Sequence, residues 1–372
     1  MEDLIKKLTE FRRELHRNPE LSGKEENTAH RILKFLGDVK PSELYINIGG
    51  HGLILVFDSG KPGKAILIRG DIDALPIDEP QNLPYSSLSP GVSHKCGHDG
   101  HTTILAGLAL RLNEEPLKSG KAILLFQPAE ETGAGAEAML NDWPENIKPD
   151  LVFALHNIPG KPLHSIIIKN DWFASASQGM IVKLKGVSAH AGEPEMGINP
   201  AFAIARIIKF IKDLPLKKHQ KATIIHLKVG EIAFGTSPGE GVIMLTLRAG
   251  NNKEMDSLTT RVKNEILAIT ETESIKTEIS FTEVFPATRS HKTANAAIAD
   301  AAEKQGLKII TGDEPFNWSE DFGHFTMRYP GAMFGLGAGE DCPNLHNPDY
   351  NFPDELTKTG ILMFEEIVRG MV

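Results

Sequence analysis

Residues 65–76 read Ala-Ile-Leu-Ile-Arg-Gly-Asp-Ile-Asp-Ala-Leu-Pro, in which a short apolar run at 65–69 is followed by two aspartates. Three similar runs, each bounded by Gly, Pro or Asp, occupy 53–57, 122–126 and 151–155. Helical patterns lie between some of these runs. Short apolar runs that alternate with helices predict an α/β sheet, mixed but mostly parallel and covered by helices on both faces.

A different pattern begins near Ser177. Apolar and polar residues alternate over 178–185, as in a half-exposed strand, and an amphipathic helix follows. Two strands, a second helix and a last strand complete the order β-α-β-β-α-β, which is typical of a ferredoxin-like sandwich with one open sheet face. We therefore expect a catalytic α/β domain at 1–176 and 288–372, interrupted by an inserted lid and dimerisation domain at 177–287.

Composition and charge exclude several classes of protein. The 372 residues are 41% hydrophobic and 24% charged, and no apolar run approaches the roughly 20 residues that span a bilayer. The net charge is -9 without a long basic cluster, which argues against a nucleic-acid partner. The charged N-terminal stretch lacks the apolar core of a signal peptide, so we expect a cytoplasmic protein in which Cys96 and Cys342 do not form a disulfide.

Polar residues follow the apolar runs at the places where sheet ligand sites form. Asp71 and Asp73 come directly after one run, where they would orient metal-binding histidines, although a solvated turn also accounts for them. Residues 94–101, His-Lys-Cys-Gly-His-Asp-Gly-His, place Cys96 and His98 two positions apart. A thiolate with an imidazole suits zinc or a similar metal. The alternative is a His-rich surface loop.

Two further strand ends carry charged or ligating side chains. Glu130 and Glu131 are adjacent, so one can bind a metal while the other accepts a proton from water; acidic residues at a helix N-terminus are the alternative. His156 ends the run 151–155, and as one of several polar strand ends it is a plausible ligand. His346 lies in a late loop after a Gly-rich stretch, and by itself it is only a loop histidine.

Taken together, these segments resemble the M20 metallopeptidase family, and within it the aminoacylase and amidohydrolase branch that includes hippurate and auxin-conjugate hydrolases. The resemblance covers nearly the whole chain. It is carried by Leu15-His16, Pro19-Glu20-Leu21, Arg69–Pro76, Cys96–His101, Gln127–Glu131, His156, Ser188–Ala191, Asn199-Pro200-Ala201, Ser319–Phe322 and Leu345-His346.

The resemblance implies two divalent metal ions per subunit, either Zn²⁺, Mn²⁺, Co²⁺ or Ni²⁺. It implies a set of five ligands in which the thiolate bridges the ions: Cys96, His98, Glu131, His156 and His346. Glu130 would be the general base that takes a proton from the attacking water. Asp71, Asp73 and Asp99 would orient the ligands, and Asp73 is also expected among the catalytic residues.

The inserted domain is expected to supply substrate contacts. The resemblance implies that His190 stabilises the developing oxyanion, which requires that the lid closes or that a neighbouring subunit supplies it. Arg248 resembles the residue that pairs with a substrate carboxylate. Ser237 stands where the family has an asparagine, and with Asn199 it is expected to line the substrate site. A structural histidine and a solvated arginine are the alternatives.

The predicted function is metal-dependent hydrolysis of the amide bond of a small N-acyl amino acid. Within enzymes, the alternatives are a dipeptidase and a deacetylase of an acetylated biosynthetic intermediate. A catalytically silent binding homologue is opposed by the intact base and ligand set. A dinucleotide enzyme is opposed by the lack of G-x-G-x-x-G after the first strand. The exposed edge of the lid sheet predicts a homodimer formed through the lid domain.

Overall fold

The computed structural model describes residues 1–372 and divides into two compact units. The first unit comprises Met1–Phe173, Thr288–Pro315 and Asp321–Val372, and the second comprises Ala174–Ala287 and Phe316–Glu320. No helix combines the length and the apolarity that a bilayer crossing requires. The helices are α1 Glu2–Arg17, α2 Glu26–Phe35, α3 His98–Glu114, α4 Gly135–Asn141, α5 Pro200–Asp213, α6 Asn252–Thr272, α7 Lys292–Lys304, α8 Gly323–Arg328 and α9 Leu356–Met371.

The strands are numbered in chain order. They are β1 Glu43–Ile48, β2 Gly52–Asp58, β3 Ala65–Asp71, β4 Lys121–Gln127, β5 Leu151–Ile158, β6 Ile166–Lys169, β7 Trp172–Ala174, β8 Ala176–Lys185, β9 Ala189–His190, β10 Lys221–Val229, β11 Thr236–Ser237, β12 Glu240–Ala249, β13 Lys276–Phe285, β14 Thr288–Arg289, β15 Ile309–Gly312 and β16 Gly331–Gly337.

The first unit is built on an eight-stranded sheet of order β1-β2-β4-β3-β5-β16-β6-β15. Four of its strand pairs are parallel (β4–β3, β3–β5, β5–β16 and β6–β15), and three are antiparallel. Alternate residues of the central strands, such as Ile68 and Leu124, join a core that includes residues of α1, α3, α7 and α9. Their neighbours Leu67 and Ile123 are also buried, so both faces of the sheet are covered. The α/β prediction is therefore confirmed.

The second unit contains a four-stranded antiparallel sheet of order β10-β12-β8-β13. Helices α5 and α6 contact this sheet, and each begins after an asparagine, Asn199 or Asn251, whose side chain accepts a hydrogen bond from the first turn. Apart from the two-residue strands β9 and β11, the chain order is β8-α5-β10-β12-α6-β13, which is the β-α-β-β-α-β order that the sequence predicts.

Candidate metal centre

Three neighbouring strands bring the predicted site residues of the first unit to one edge of its sheet. Strand β3 lies between β4 and β5 and is parallel to both, so the carboxyl ends of all three strands meet. Asp73 follows β3, Glu130 follows β4, and His156 lies near the end of β5. The segment that carries Cys96 leads into α3, which begins at His98.

The five predicted metal ligands lie in two overlapping groups of three. The donor atoms of Cys96, His98 and His156 are all within 4.8 Å of one another, and so are those of Cys96, Glu131 and His346. The thiol of Cys96 belongs to both groups, and its Sγ lies 3.5 Å from Nε2 of His156. This position is the one that a bridging ligand between two ions needs.

Hydrogen bonds orient two of the imidazoles for metal binding. Nδ1 of His98 lies 3.0 Å from Oδ1 of Asp73 and 3.1 Å from its carbonyl oxygen, and Nδ1 of His156 lies 2.9 Å from the carbonyl oxygen of Asn157. With Nδ1–H donating to an oxygen, the neutral form of each ring has its lone pair on Nε2. Nε2 of His98 is buried and has no hydrogen-bond partner in the protein, as expected of an atom that ligates an ion.

The charges of this pocket favour a cation. Burial raises the pKa of Glu131 to about 7, an effect that His98 opposes and the Asp73 carboxylate reinforces. Burial would lower the pKa of His98, but Asp71 and Asp73 overcome it and raise that pKa to about 10. A proton on Nε2 of His98 thus substitutes for a cation among the carboxylates. Burial, with His101 nearby, keeps the pKa of His156 well below its usual value, so this imidazole is neutral and ready to ligate.

The donor set fits a pair of divalent transition-metal ions. One thiol, three imidazoles and one carboxylate are the ligand types that Zn²⁺ and similar ions prefer. Oε1 of Glu131 is buried without a hydrogen-bond partner, like Nε2 of His98, from which it lies 3.7 Å away. Cys96, His98 and His156 are almost fully buried, whereas the side chain of His346 is 52% exposed and leaves the centre open on that side.

Glu130 lies beside the ligands, where a general base is needed. It is 4% exposed, its Oε2 is 4.0 Å from Nε2 of His98, and the backbone N–H of Asp321 donates to its Oε1 over 3.2 Å. Asp321 is in turn bound by Arg69 and Gln127 at 2.8 Å each. The sequence indicated Asp321 only through the Ser-Glu-Asp-Phe motif, and it did not indicate that Arg69 is its partner.

Two of the predicted orienting aspartates have partners that the sequence did not reveal. Asp71 is bonded to Arg69, and its Oδ1 lies 2.6 Å from Nδ1 of His101. Asp99 contacts Arg12 at 3.0 Å and His16 at 2.8 Å, which ties the ligand segment to α1. Their roles at the metal centre, like that of Asp73, stay predictions.

The predicted substrate residues belong to the second unit. His190 in β9 pairs with Thr236 in β11, and the Asn199 amide lies 3.4 Å from the hydroxyl of Ser237. Nη1 of Arg248 donates to the carbonyl oxygen of Asn317 and to the hydroxyl of Ser319, and burial lowers the pKa of its guanidinium without a contribution from any carboxylate. Asn199 also caps α5, so a structural role accounts for part of its bonding.

Known proteins resemble this chain over nearly its whole length. The model of peptidase family M20/M25/M40 matches residues 67–370. The chain is 32% identical to N-acetyl-L-cysteine deacetylase of Bacillus subtilis, over 98% of this chain and 88% of that protein. It is 30% identical to N-acetyldiaminopimelate deacetylase of the same organism, over 94% of each. The structure of the Bacillus subtilis YXEP protein, described as a dinuclear metal-binding peptidase from the M20 family, superposes with a TM-score of 0.84 at 26% identity and full coverage of both chains.

Proposed function

Because the chain belongs to peptidase family M20/M25/M40 and is a metal-dependent hydrolase of amide bonds, we propose that its substrate is a small N-acyl amino acid. The family membership predicted from the sequence is confirmed. The observation that carries the proposal is the position of the Glu130 carboxylate beside two overlapping groups of metal donors. Two relatives that deacetylate N-acetylated amino acids support the choice of substrate class.

Different residues of the chain would bind the metal ions and transfer the proton at the scissile amide. Cys96, His98, Glu131, His156 and His346 would hold the two ions, which supply a Lewis acid for the carbonyl and lower the pKa of the attacking water. Oε1 of Glu130 is held by the Asp321 N–H, and its carboxylate accepts the proton of that water. The same carboxylate returns the proton to the leaving amine, which departs as a free amino acid.

Arg248 and His190 are the proposed substrate contacts of the second unit. The Arg248 guanidinium is partly buried, it donates to a carbonyl and a hydroxyl, and burial alone lowers its pKa. An arginine in such surroundings suits the carboxylate of an amino acid. We propose that His190 donates to the oxyanion, with Ser237 and Asn199 beside it.

We also propose that two copies associate through the sheet of the second unit. Its edge strands β10 and β13 each pair on one side only, and Ile225 and Phe281 on these strands are exposed. Light scattering of the purified protein tests this, and a monomer at micromolar concentration would contradict it. The cytoplasmic location stays a prediction.

Amine release by metal-reconstituted protein tests the proposed function. Protein stripped with a chelator is reloaded with Zn²⁺, Mn²⁺, Co²⁺ or Ni²⁺ and offered acetyl-, benzoyl- and indoleacetyl-amino acids beside simple dipeptides. We expect release from at least one N-acyl amino acid, none from stripped protein and almost none from Glu130→Gln. Cleavage of dipeptides alone would show a dipeptidase. A metal-loaded protein that releases no amine from any compound would refute the proposal.

A further inference from the structure

The segment 19–25, Pro-Glu-Leu-Ser-Gly-Lys-Glu, has no role in the proposed reaction, yet it contacts two loops of the metal centre. Its backbone runs alongside the loop after β3: Leu21 forms a parallel bridge with Ala74, and the N–H of Ala74 donates to the carbonyl oxygen of Glu20 over 2.8 Å. Backbone contacts alone therefore fix the segment to the loop that carries Asp73.

Ser22 acts on Asp73, the carboxylate that orients His98. The hydroxyl of Ser22 donates to Oδ2 of Asp73 over 2.7 Å, and the backbone N–H of Glu131 donates to the same oxygen over 2.9 Å. Oδ1 of Asp73 is left to bind His98. With Oδ2 held from two sides, the Asp73 carboxylate cannot rotate away from the imidazole without breaking both bonds.

Glu25 acts on the turn that carries the base and a ligand. It is fully buried, and its Oε1 accepts hydrogen bonds from the N–H of Ala129 at 2.8 Å and of Gly23 at 2.9 Å. Ala129 has φ +53°, a left-handed conformation that a residue with a Cβ adopts only when its surroundings impose it. The next two residues along the chain are Glu130 and Glu131.

Burying the Glu25 carboxylate costs desolvation free energy, and the hydrogen bonds that it accepts offset this cost. Burial raises the pKa of Glu25 to about 7, and the nearby Asp73 carboxylate adds to the shift. Its Oε2 is buried without a hydrogen-bond partner in the protein. An apolar side chain would fill the same space without this cost, but it would leave the N–H groups of Ala129 and Gly23 without an acceptor.

We propose that Glu25 and Ser22 are positioning residues of the metal centre: Glu25 holds the Ala129 turn so that Glu130 and Glu131 face the ions, and Ser22 holds Asp73 against His98. The proposal rests on the proposed function, because it presupposes a metal centre formed by these residues. A purely structural role for the segment would stabilise the start of α2 and leave the metal geometry unaffected.

Paired variants of nearly equal volume separate these two roles. Glu25→Met removes the acceptor, whereas Glu25→Gln keeps a carbonyl oxygen in place of Oε1. Glu20→Met is the matched control, since the Glu20 carboxylate accepts only from Thr28 and Asn27 at the start of α2. Each protein is titrated with Co²⁺ against a competing chelator, the visible spectrum of the bound Co²⁺ is recorded, and the Tm of the metal-free protein is measured.

We expect Glu25→Met to raise the Co²⁺ Kd by about 10-fold or more and to change the spectrum, and Glu25→Gln to stay within about 3-fold of the unmodified protein. Glu20→Met should lower the Tm while the Kd and spectrum are unchanged. Ser22→Ala, which alters a partly exposed position and should fold, should raise the Kd by about 3- to 10-fold.

The proposal is overturned if Glu25→Met binds Co²⁺ with the original Kd and spectrum, or if Glu25→Gln is impaired as much as Glu25→Met. If Glu25→Met does not fold, the proposal is overturned by either of two results: an unchanged Co²⁺ Kd in Ser22→Ala, or a Co²⁺ Kd in Glu25→Gln that is raised by more than about 3-fold. A failure of the unmodified protein to bind Co²⁺ would instead refute the proposed function, so the two failures are distinguishable.

Discussion

The overall affinity of the centre for its two divalent ions should rise by about 1000-fold between pH 6 and pH 8. The two ions together must displace the proton on His98, whose pKa the neighbouring aspartates raise to about 10 against the effect of burial, and the proton on Glu131, whose pKa burial raises to about 7. Both groups are protonated at low pH, so acid competes with the metal and weakens binding.

The magnitude follows from the protons released at each pH. His98 releases one proton over the whole range, which contributes about 100-fold across two pH units. Glu131 is about 90% protonated at pH 6 and about 10% at pH 8, which contributes roughly another 10-fold. The product corresponds to about 4 kcal/mol. This figure counts the protons of His98 and Glu131 alone.

Competition with a chromophoric chelator at pH 6, 7 and 8 measures this dependence, after correction for protonation of the chelator. Glu131→Gln is the matched variant: its affinity is lower at every pH, but its change across the range should shrink to about 100-fold, because only the His98 proton remains. An affinity that changes by less than about 10-fold between pH 6 and pH 8 would show that the ion displaces no such protons, and the electrostatic account of the pocket would fail.

Three substitutions test other parts of the structure. Glu130→Gln should keep its metals and lose about 10²–10⁴-fold in kcat; near-normal turnover with normal metal content would remove Glu130 as the base. His190→Ala should lower kcat by about 10²-fold with metal content unchanged and KM altered less, whereas a raised KM with steady kcat would mark a ground-state contact. Gly100→Ala places a Cβ 2.4 Å from the Phe352 ring and should lower the free energy of unfolding by about 1–3 kcal/mol; in chemical denaturation, Gly235→Ala is the control, because its Cβ would meet nothing within 4 Å.

The sequence predicted best those strands whose structure follows from local composition. Strands β2 to β5 are continuous apolar runs, because both of their faces are buried, and their predicted bounds differ from the observed ones by no more than three residues at either end. Strand β16 was not predicted, because three of its seven residues, Gly-Ala-Met-Phe-Gly-Leu-Gly, are glycines, which are typical of loops. A Cβ at Gly331 would lie 2.2 Å from the Val152 carbonyl oxygen, and one at Gly337 would lie 2.1 Å from that of Pro162. These glycines are required by close approach of other segments, and that cause is visible only in the folded chain.

Some features of the metal centre were likewise predictable from the sequence, and others are visible only in the folded chain. The sequence by itself determined the types of ligand. Cys96 and His98 are two residues apart and Glu130 and Glu131 are adjacent, and metal-donor side chains so closely spaced can be recognised without the fold. It left His346 as an ordinary loop histidine until the family resemblance was considered. Only the tertiary structure shows that Asp321 supports Glu130 and that Ser22 and Glu25 support the loops of the centre. These contacts join residues that are 51 to 191 positions apart in the chain, and hydrogen bonds between such distant residues form only where the packing of the sheet brings their strands and loops to one edge.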